Sequence, residues 1–173
     1  MKMNLLFLAL LSFFALNINA QKKLAVGTQI TMGDDSRKSI DQIVVGDVLL
    51  TYNYTDKIYE KKKITSIDHA MYNRMARLVL ENKMQILTTS DYPFLGEKNW
   101  RSIDPEKTKE SSKYANVKNA TMGDYIYFYD VLSTSSDRIA FIEGITEPIK
   151  AYSIQIEGDN AIIANGFIVG ADQ

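Results

Sequence analysis

Beyond residue 21 the chain is a succession of short β-rich runs, each ended by a turn-forming cluster before a helical period can establish itself. Val, Ile, Thr and Tyr dominate runs 25–31, 44–54, 64–68, 76–81 and 83–89, and again 125–132, 138–142, 151–156, 161–164 and 167–169. Branching at Cβ and bulky rings favour the extended backbone, where such side chains pack on a pleated surface. The joints are Gly33-Asp34-Asp35, Glu81-Asn82-Lys83, Glu157-Gly158-Asp159-Asn160 and Asn165-Gly166, all turn formers. Residues 102–119, rich in Lys and Ser, read as a long loop with room for a helical turn. Many short strands with frequent turns predict an all-β domain.

The runs come twice. Val45-Gly46-Asp47-Val48-Leu49-Leu50-Thr51-Tyr52-Asn53 is similar to Met122-Gly123-Asp124-Tyr125-Ile126-Tyr127-Phe128-Tyr129-Asp130, 77 positions later. Ile64 and Ile67 fall opposite Ile139 and Ile142 at an offset of 75, and Leu80-Glu81-Asn82 opposite Ile156-Glu157-Gly158 at 76. Three nearly constant offsets predict two copies of one β unit related by a pseudo-twofold axis. Two copies are too few for a solenoid or propeller.

The N-terminus has a different character. Lys2 precedes the uncharged run 5–16, and the small residue Ala20 precedes Gln21, the pattern of a secretory signal peptide cut after Ala20. The run spans 12 residues, too short to cross a bilayer as a helix, so no integral membrane segment is expected once the signal is removed. The remaining 153 residues, 21–173, are expected to form a single exported domain, periplasmic or secreted. The chain has no cysteine, which excludes disulfides, Cys-ligated zinc, iron–sulfur clusters, a lipoprotein anchor and a thiol nucleophile. A formal net charge of −1 offers no basic field for nucleic acid.

Four motifs in order carry a family resemblance. They are Lys23-Leu24-Ala25-Val26-Gly27-Thr28 with Gln29-Ile30-Thr31-Met32; Lys38-Ser39-Ile40-Asp41-Gln42-Ile43-Val44-Val45-Gly46-Asp47-Val48-Leu49; Leu87-Thr88-Thr89-Ser90-Asp91-Tyr92-Pro93-Phe94; and Tyr152-Ser153-Ile154-Gln155-Ile156 with Ala164-Asn165-Gly166-Phe167-Ile168-Val169. Together they resemble the Hint domain of Hedgehog autoprocessing modules, inteins and bacterial intein-like proteins. The resemblance covers nearly all of the chain beyond the signal. It implies a compact β horseshoe with internal pseudo-twofold duplication.

The chemistry the resemblance implies is self-processing. A Cys or Ser opens the first motif and attacks the carbonyl before it, a histidine in the third motif moves the proton, Thr holds the strained amide, and a terminal His-Asn pair completes splicing. This sequence departs at those positions. Lys23 stands where the nucleophile would be; an ammonium of ordinary pKa about 10.4 is a poor nucleophile, and acyl transfer to nitrogen gives only another stable amide. Tyr92, with an ordinary pKa of about 10, replaces the histidine, and Gly170-Ala171 replaces the terminal pair. Thr89 and Asp91 are what remains of the constellation. With only Gln21 and Lys22 ahead of Lys23 after signal removal, and four residues beyond Val169, a free-standing, degenerate Hint domain is expected.

Other residues offer further candidates. His69, the sole histidine, adjoins Asp68, and such a pair can do acid–base work; a structural turn or core-edge histidine is the competing reading. A single histidine defines no metal site, and no metal or cofactor is expected. Tyr125-Ile126-Tyr127-Phe128-Tyr129 puts three tyrosines on one face of a strand, either a platform for sugar or peptide or core of a two-layer β fold. Lys61-Lys62-Lys63 and the lysines of 102–119, interspersed with glutamates, read as a solvated face. The expected function is a non-catalytic interaction or ligand-binding module for a protein or small ligand, with a cleft at Lys23, Thr89, Asp91 and Tyr92. The alternative is a residual or repurposed hydrolase using Asp68–His69 or Thr89–Asp91.

Overall fold

A computed structural model describes residues 22–131 and 133–171. The expected signal peptide, residues 1–20, lies outside the described residues. The first half of the chain forms β1 (Leu24–Ala25), β2 (Gln29–Thr31), β3 (Arg37–Ser39), β4 (Val48–Asn53), β5 (Ile58–Tyr72), β6 (Met75–Leu80) and β7 (Gln85–Thr88). The second half forms β8 (Phe94–Leu95), β9 (Trp100–Ser102), β10 (Lys118–Asn119), β11 (Tyr125–Asp130), β12 (Ser133–Ile145), β13 (Ile149–Ile156), β14 (Ala161–Ala164) and β15 (Phe167–Gly170). A one-turn helix, α1 (Pro105–Thr108), and a 3-10 turn (Ser112–Tyr114) sit between β9 and β10. The strands hydrogen-bond in the order β10-β9-β8-β15-β11-β12-β6-β7-β1-β13-β5-β4-β14-β2-β3, with β14 also pairing β15. The fold is all-β.

The duplication is explicit in the register. In β5–β13, Ile64 faces Ile156, and a bulge follows at Thr65. In β12–β6, Ile139 faces Leu80, and a bulge follows at Ala140. The turns leading into these strands also match. Gly46 N–H donates to the Ile64 carbonyl at 2.9 Å and Gly123 N–H to the Ile139 carbonyl at 2.8 Å. Their φ values, +92° and +89°, explain why both copies carry glycine there. The aspartates that follow each accept from the backbone three residues back, Val44 N–H to Asp47 at 3.0 Å and Thr121 N–H to Asp124 at 2.9 Å. Each also meets a cation on a flanking hairpin, Lys38 at 2.7 Å and Arg101 at 3.1 Å. Most intimately, β1 pairs with β7, Leu24 facing Thr88, so the first strand of the described residues is held beside the end of the first half.

The core follows from the alternation. Leu24, Ile30, Leu49, Ile64, Leu78, Leu80, Ile126, Ile139, Ile154, Ile162 and Phe167 are buried in one cluster drawn from both halves. Each such side chain, removed from water, contributes roughly 1.5–3 kcal/mol.

Several expectations need correction. The run 25–31 is two strands, broken at Gly27, whose φ of +81° takes the chain out of the extended region. The runs 64–68 and 138–142 are the middles of the much longer β5 and β12. Residues 102–119 are only partly loop, since β9 ends and β10 begins inside them and α1 forms, with the Asp104 carboxylate accepting from Lys107 N–H and Pro105 opening the helix. The tyrosine row is divided, with Tyr125 exposed, Tyr127 half-buried and Tyr129 buried against Leu50 and Ile163. The joints Gly33-Asp34-Asp35, Glu81-Asn82-Lys83 and Asn165-Gly166 are turns between antiparallel strands, as the sequence predicts.

Candidate functional site

The residues of the third motif reach the first through the β1–β7 pairing. Lys23, just ahead of β1, donates its backbone N–H to Thr89 Oγ1 at 3.1 Å, and Thr89 N–H donates back to the Lys23 carbonyl at 3.0 Å. The Thr89 hydroxyl thus lies on the amide that joins Lys22 to Lys23. The side chain of Lys23 runs inward and is fully buried, at 0% exposure. Its Nζ donates to Ser153 Oγ at 2.9 Å and to Asp68 Oδ2 at 3.1 Å.

Strand pairing supplies both acceptors. Ser153 of β13 faces Asp68 of β5 across the ladder, so their side chains rise from neighbouring positions on one face. Asp68 sits at the edge of the cluster, its side chain 60% exposed, whereas that of Lys23 is 1% exposed. The hydrogen bond from Lys23 and then its charge hold the Asp68 carboxyl below its ordinary value. A buried ammonium is tolerable here because a carboxylate and a hydroxyl accept from it.

His69 is not part of this cluster. Successive residues of a strand point to opposite faces, and Asp68 and His69 are successive. The histidine ring packs edge to face on Tyr152, with centroids 5.5 Å apart, while the Asp68 carboxylate meets Lys23. Neither Asp68–His69 nor Thr89–Asp91 forms a hydrogen-bonded side-chain pair among the described residues.

The turn that follows Thr89 closes over the other side. Tyr92 N–H donates to the Thr89 carbonyl at 3.1 Å, and Asp91 and Tyr92 are both buried. The Thr108 hydroxyl of α1 donates to the Asp91 carbonyl at 2.9 Å and meets Ser102 Oγ at 2.7 Å. Gly170 N–H donates to the Pro93 carbonyl at 2.9 Å, which brings Gly170-Ala171 beside this turn. A Cβ on Gly170 would fall 2.1 Å from the Tyr114 hydroxyl, so only glycine lets Tyr114 seal that flank. Lys22 lies over the Tyr114 ring, 5.2 Å from its centroid.

The structure therefore gathers Lys23, Thr89, Asp91, Tyr92, Gly170 and Ala171 into one buried neighbourhood and adds Asp68 to it. Sequence reasoning missed Ser153, Ser102, Thr108 and Tyr114. A serine flanked by Tyr152 and Ile154 in an apolar strand was the available signal for the first. Among the described residues no group of three or more His, Asp or Glu side chains is placed to hold a metal ion. No helix of the described residues is long and apolar enough to cross a membrane.

No protein-family model and no curated protein matches the sequence. Solved structures do match. The DnaB intein from Synechocystis sp. PCC 6803 superposes with a TM-score of 0.72 at 17% identity, covering 88% of this chain and 99% of that one. The bacterial intein-like domain from Clostridium thermocellum superposes with a TM-score of 0.64 at 14% identity, covering 87% of this chain and 98% of that one. The chain has the Hint fold of these proteins.

Proposed function

We propose that this protein is an exported module that keeps the Hint fold as a non-catalytic scaffold for binding a protein or small ligand. The observation that carries this reading is the Lys23 ammonium. Where the resemblance places a nucleophile, the chain buries a cation clamped between Asp68 and Ser153. Thr89 still bonds the amide that such a nucleophile would cleave, so the holding device remains while the attacking group is gone. Tyr92, in place of the motif histidine, is itself buried and packs 6.5 Å from the Phe94 ring centroid.

One contact favours the alternative of a repurposed enzyme, because the Ser153 hydroxyl lies 2.9 Å from an amine. A serine needs a base with a free lone pair to take its proton. Lys23 Nζ also meets the Asp68 carboxylate, at 3.1 Å, and the ammonium suited to that pairing has no lone pair with which to take the serine proton. The contact therefore supports a structural clamp.

The test is intact mass after incubation with dithiothreitol of a fusion carrying a small reporter ahead of Gln21. The wild type is expected to stay whole, and a Lys23→Cys/Tyr92→His double variant is the attempted revival. Release of the reporter from the wild type at residue 23 would overturn the reading, and a Ser153→Ala variant would then show whether that hydroxyl is responsible.

A further inference from the structure

A concavity separate from the Lys23 neighbourhood opens between the turn joining β4 to β5 and the turn joining β8 to β9. It holds about 430 Å³, and Tyr52, Tyr54, Leu95, Trp100 and Tyr127 form its floor and walls. Small-molecule sites span about 300–1,000 Å³, with mostly apolar walls and a few placed polar groups. The rings are set in place by one another. Tyr54 and Trp100 meet edge to face at 5.2 Å, and Trp100 meets Tyr114 in the same way at 5.2 Å. Gly96 keeps the β8–β9 turn closed, because a Cβ there would lie 2.8 Å from the Asn99 carbonyl oxygen. That turn carries Glu97, Lys98 and Asn99 to the rim, opposite Lys57.

Hydrogen bonding separates this cleft from ordinary aromatic core. Tyrosines of the adjoining cluster that do not line it are satisfied. Tyr59 donates to the Ser133 carbonyl at 2.9 Å, and Tyr129 donates to Asp35 at 2.7 Å. Of the tyrosines that line it, Tyr54 reaches the Asp159 carboxylate at 3.4 Å, whereas Tyr52 and Tyr127 have no such bond among the described residues. Tyr52 is only 7% exposed, yet among the described residues no protein group meets its hydroxyl, nor the Tyr127 hydroxyl, nor the Trp100 indole N–H. Buried polar atoms are paired as a rule; Tyr52 departs from it, and the half-buried Tyr127 and Trp100 bring two more polar groups without a protein partner to the same cavity, where an outside partner can supply the bonds.

We propose that this cleft binds a saccharide. Flat rings with unmet hydroxyl and N–H groups at their margins match a pyranose, which offers an apolar C–H face and a rim of hydroxyls that both donate and accept. The mouth carries charges of both signs, Lys57 and Lys98 against Glu97, which suits an uncharged ligand and tolerates a uronate. The proposal deepens the binding-module reading by naming a ligand class, and places that ligand away from the Lys23 neighbourhood.

Trp100 is the sole tryptophan of the chain, so its fluorescence reports on the cleft directly. The purified protein is titrated with tetrasaccharides of glucose, mannose, N-acetylglucosamine and galacturonate, and with a proline-rich peptide as the rival occupant. A saturable emission change with at least one tetrasaccharide is expected. Tyr52→Phe, which keeps the ring and removes only the hydroxyl, is expected to weaken it at least tenfold with an unchanged thermal melt, as is Tyr127→Phe. Silence toward every tetrasaccharide, a response to the peptide alone, or equal affinity in both variants overturns the proposal. Reporter release in the mass assay would overturn the non-catalytic reading while leaving a sugar response standing, so the two fail separately.

Discussion

At Lys23 a single side chain decides between chemistry and architecture. Its ammonium is buried, whereas its partner Asp68 is largely exposed, and this asymmetry makes the two truncations unequal. Asp68→Ala removes the carboxylate and leaves a buried cation with Ser153 as its remaining named acceptor; discounted for the exposure of Asp68, the expected loss is about 2 kcal/mol. Lys23→Met fills nearly the same volume and leaves a carboxylate that water can reach, so it is expected to be close to neutral. Urea unfolding of both variants checks the order, and equal losses would contradict the clamp. The same pair gives a pH dependence. Asp68 titrates lower when folded, so its contribution is complete above its ordinary value near 3.8 and is lost as pH falls through the folded value. Stability is expected to fall more steeply below pH about 4 in the wild type than in Asp68→Asn, as read from denaturation midpoints across that range. Lys23 was legible in the sequence as a departure from a motif. Its partner Ser153 lies 130 positions away, and only the β1–β13 and β5–β13 ladders bring it there.

Among the elements, turns were easier to read than strand lengths. Asn165-Gly166 and Glu81-Asn82-Lys83 state their geometry locally, with φ of +48° and +85° in the first and +73° at Lys83 in the second. The 15 residues of β5 do not, because its ends hold Glu60, three lysines, Asp68 and His69, which have little intrinsic preference for strands. They are extended because β5 serves two partners in succession, β4 over Ile58–Lys63 and β13 over Ile64–Tyr72. The duplication makes a prediction at this scale. Gly46 and Gly123 hold equivalent positive-φ turns, and a Cβ at either meets nothing within 4 Å, so the cost of alanine is conformational alone. Gly46→Ala and Gly123→Ala are each expected to cost about 1–2 kcal/mol, nearly equal in the two halves. Chemical denaturation tests this, and a large inequality would show that the two turns are not equivalent.

Across the whole molecule, the two halves are interlocked. The hairpin β4–β5 of the first half hands β5 to β13 of the second, while β6 of the first half pairs with β12 of the second. Each half therefore presents, if isolated, an unpaired strand edge and one side of a core built from both, and such edges with exposed apolar faces are not stable alone. The repeat in the sequence was visible without this exchange, because offsets near 76 identify two copies but not which copy pairs with which. The consequence is measurable. A fragment ending at residue 90, which keeps β1–β7, is expected to lack both the far-ultraviolet signal of ordered strands and dispersed amide resonances. Mixed in equal amounts with the fragment that begins at residue 91, it is expected to regain both, since the missing ladder partners are then supplied in trans. If the first fragment folds by itself, its strands satisfy one another without the second half, and β5–β13 and β12–β6 are contacts between two independent units. If neither the fragment nor the mixture folds, the turn at Thr89 through Tyr92, which the cut at residue 90 severs, must form within one continuous chain, and that buried turn beside Lys23 is then a condition of folding.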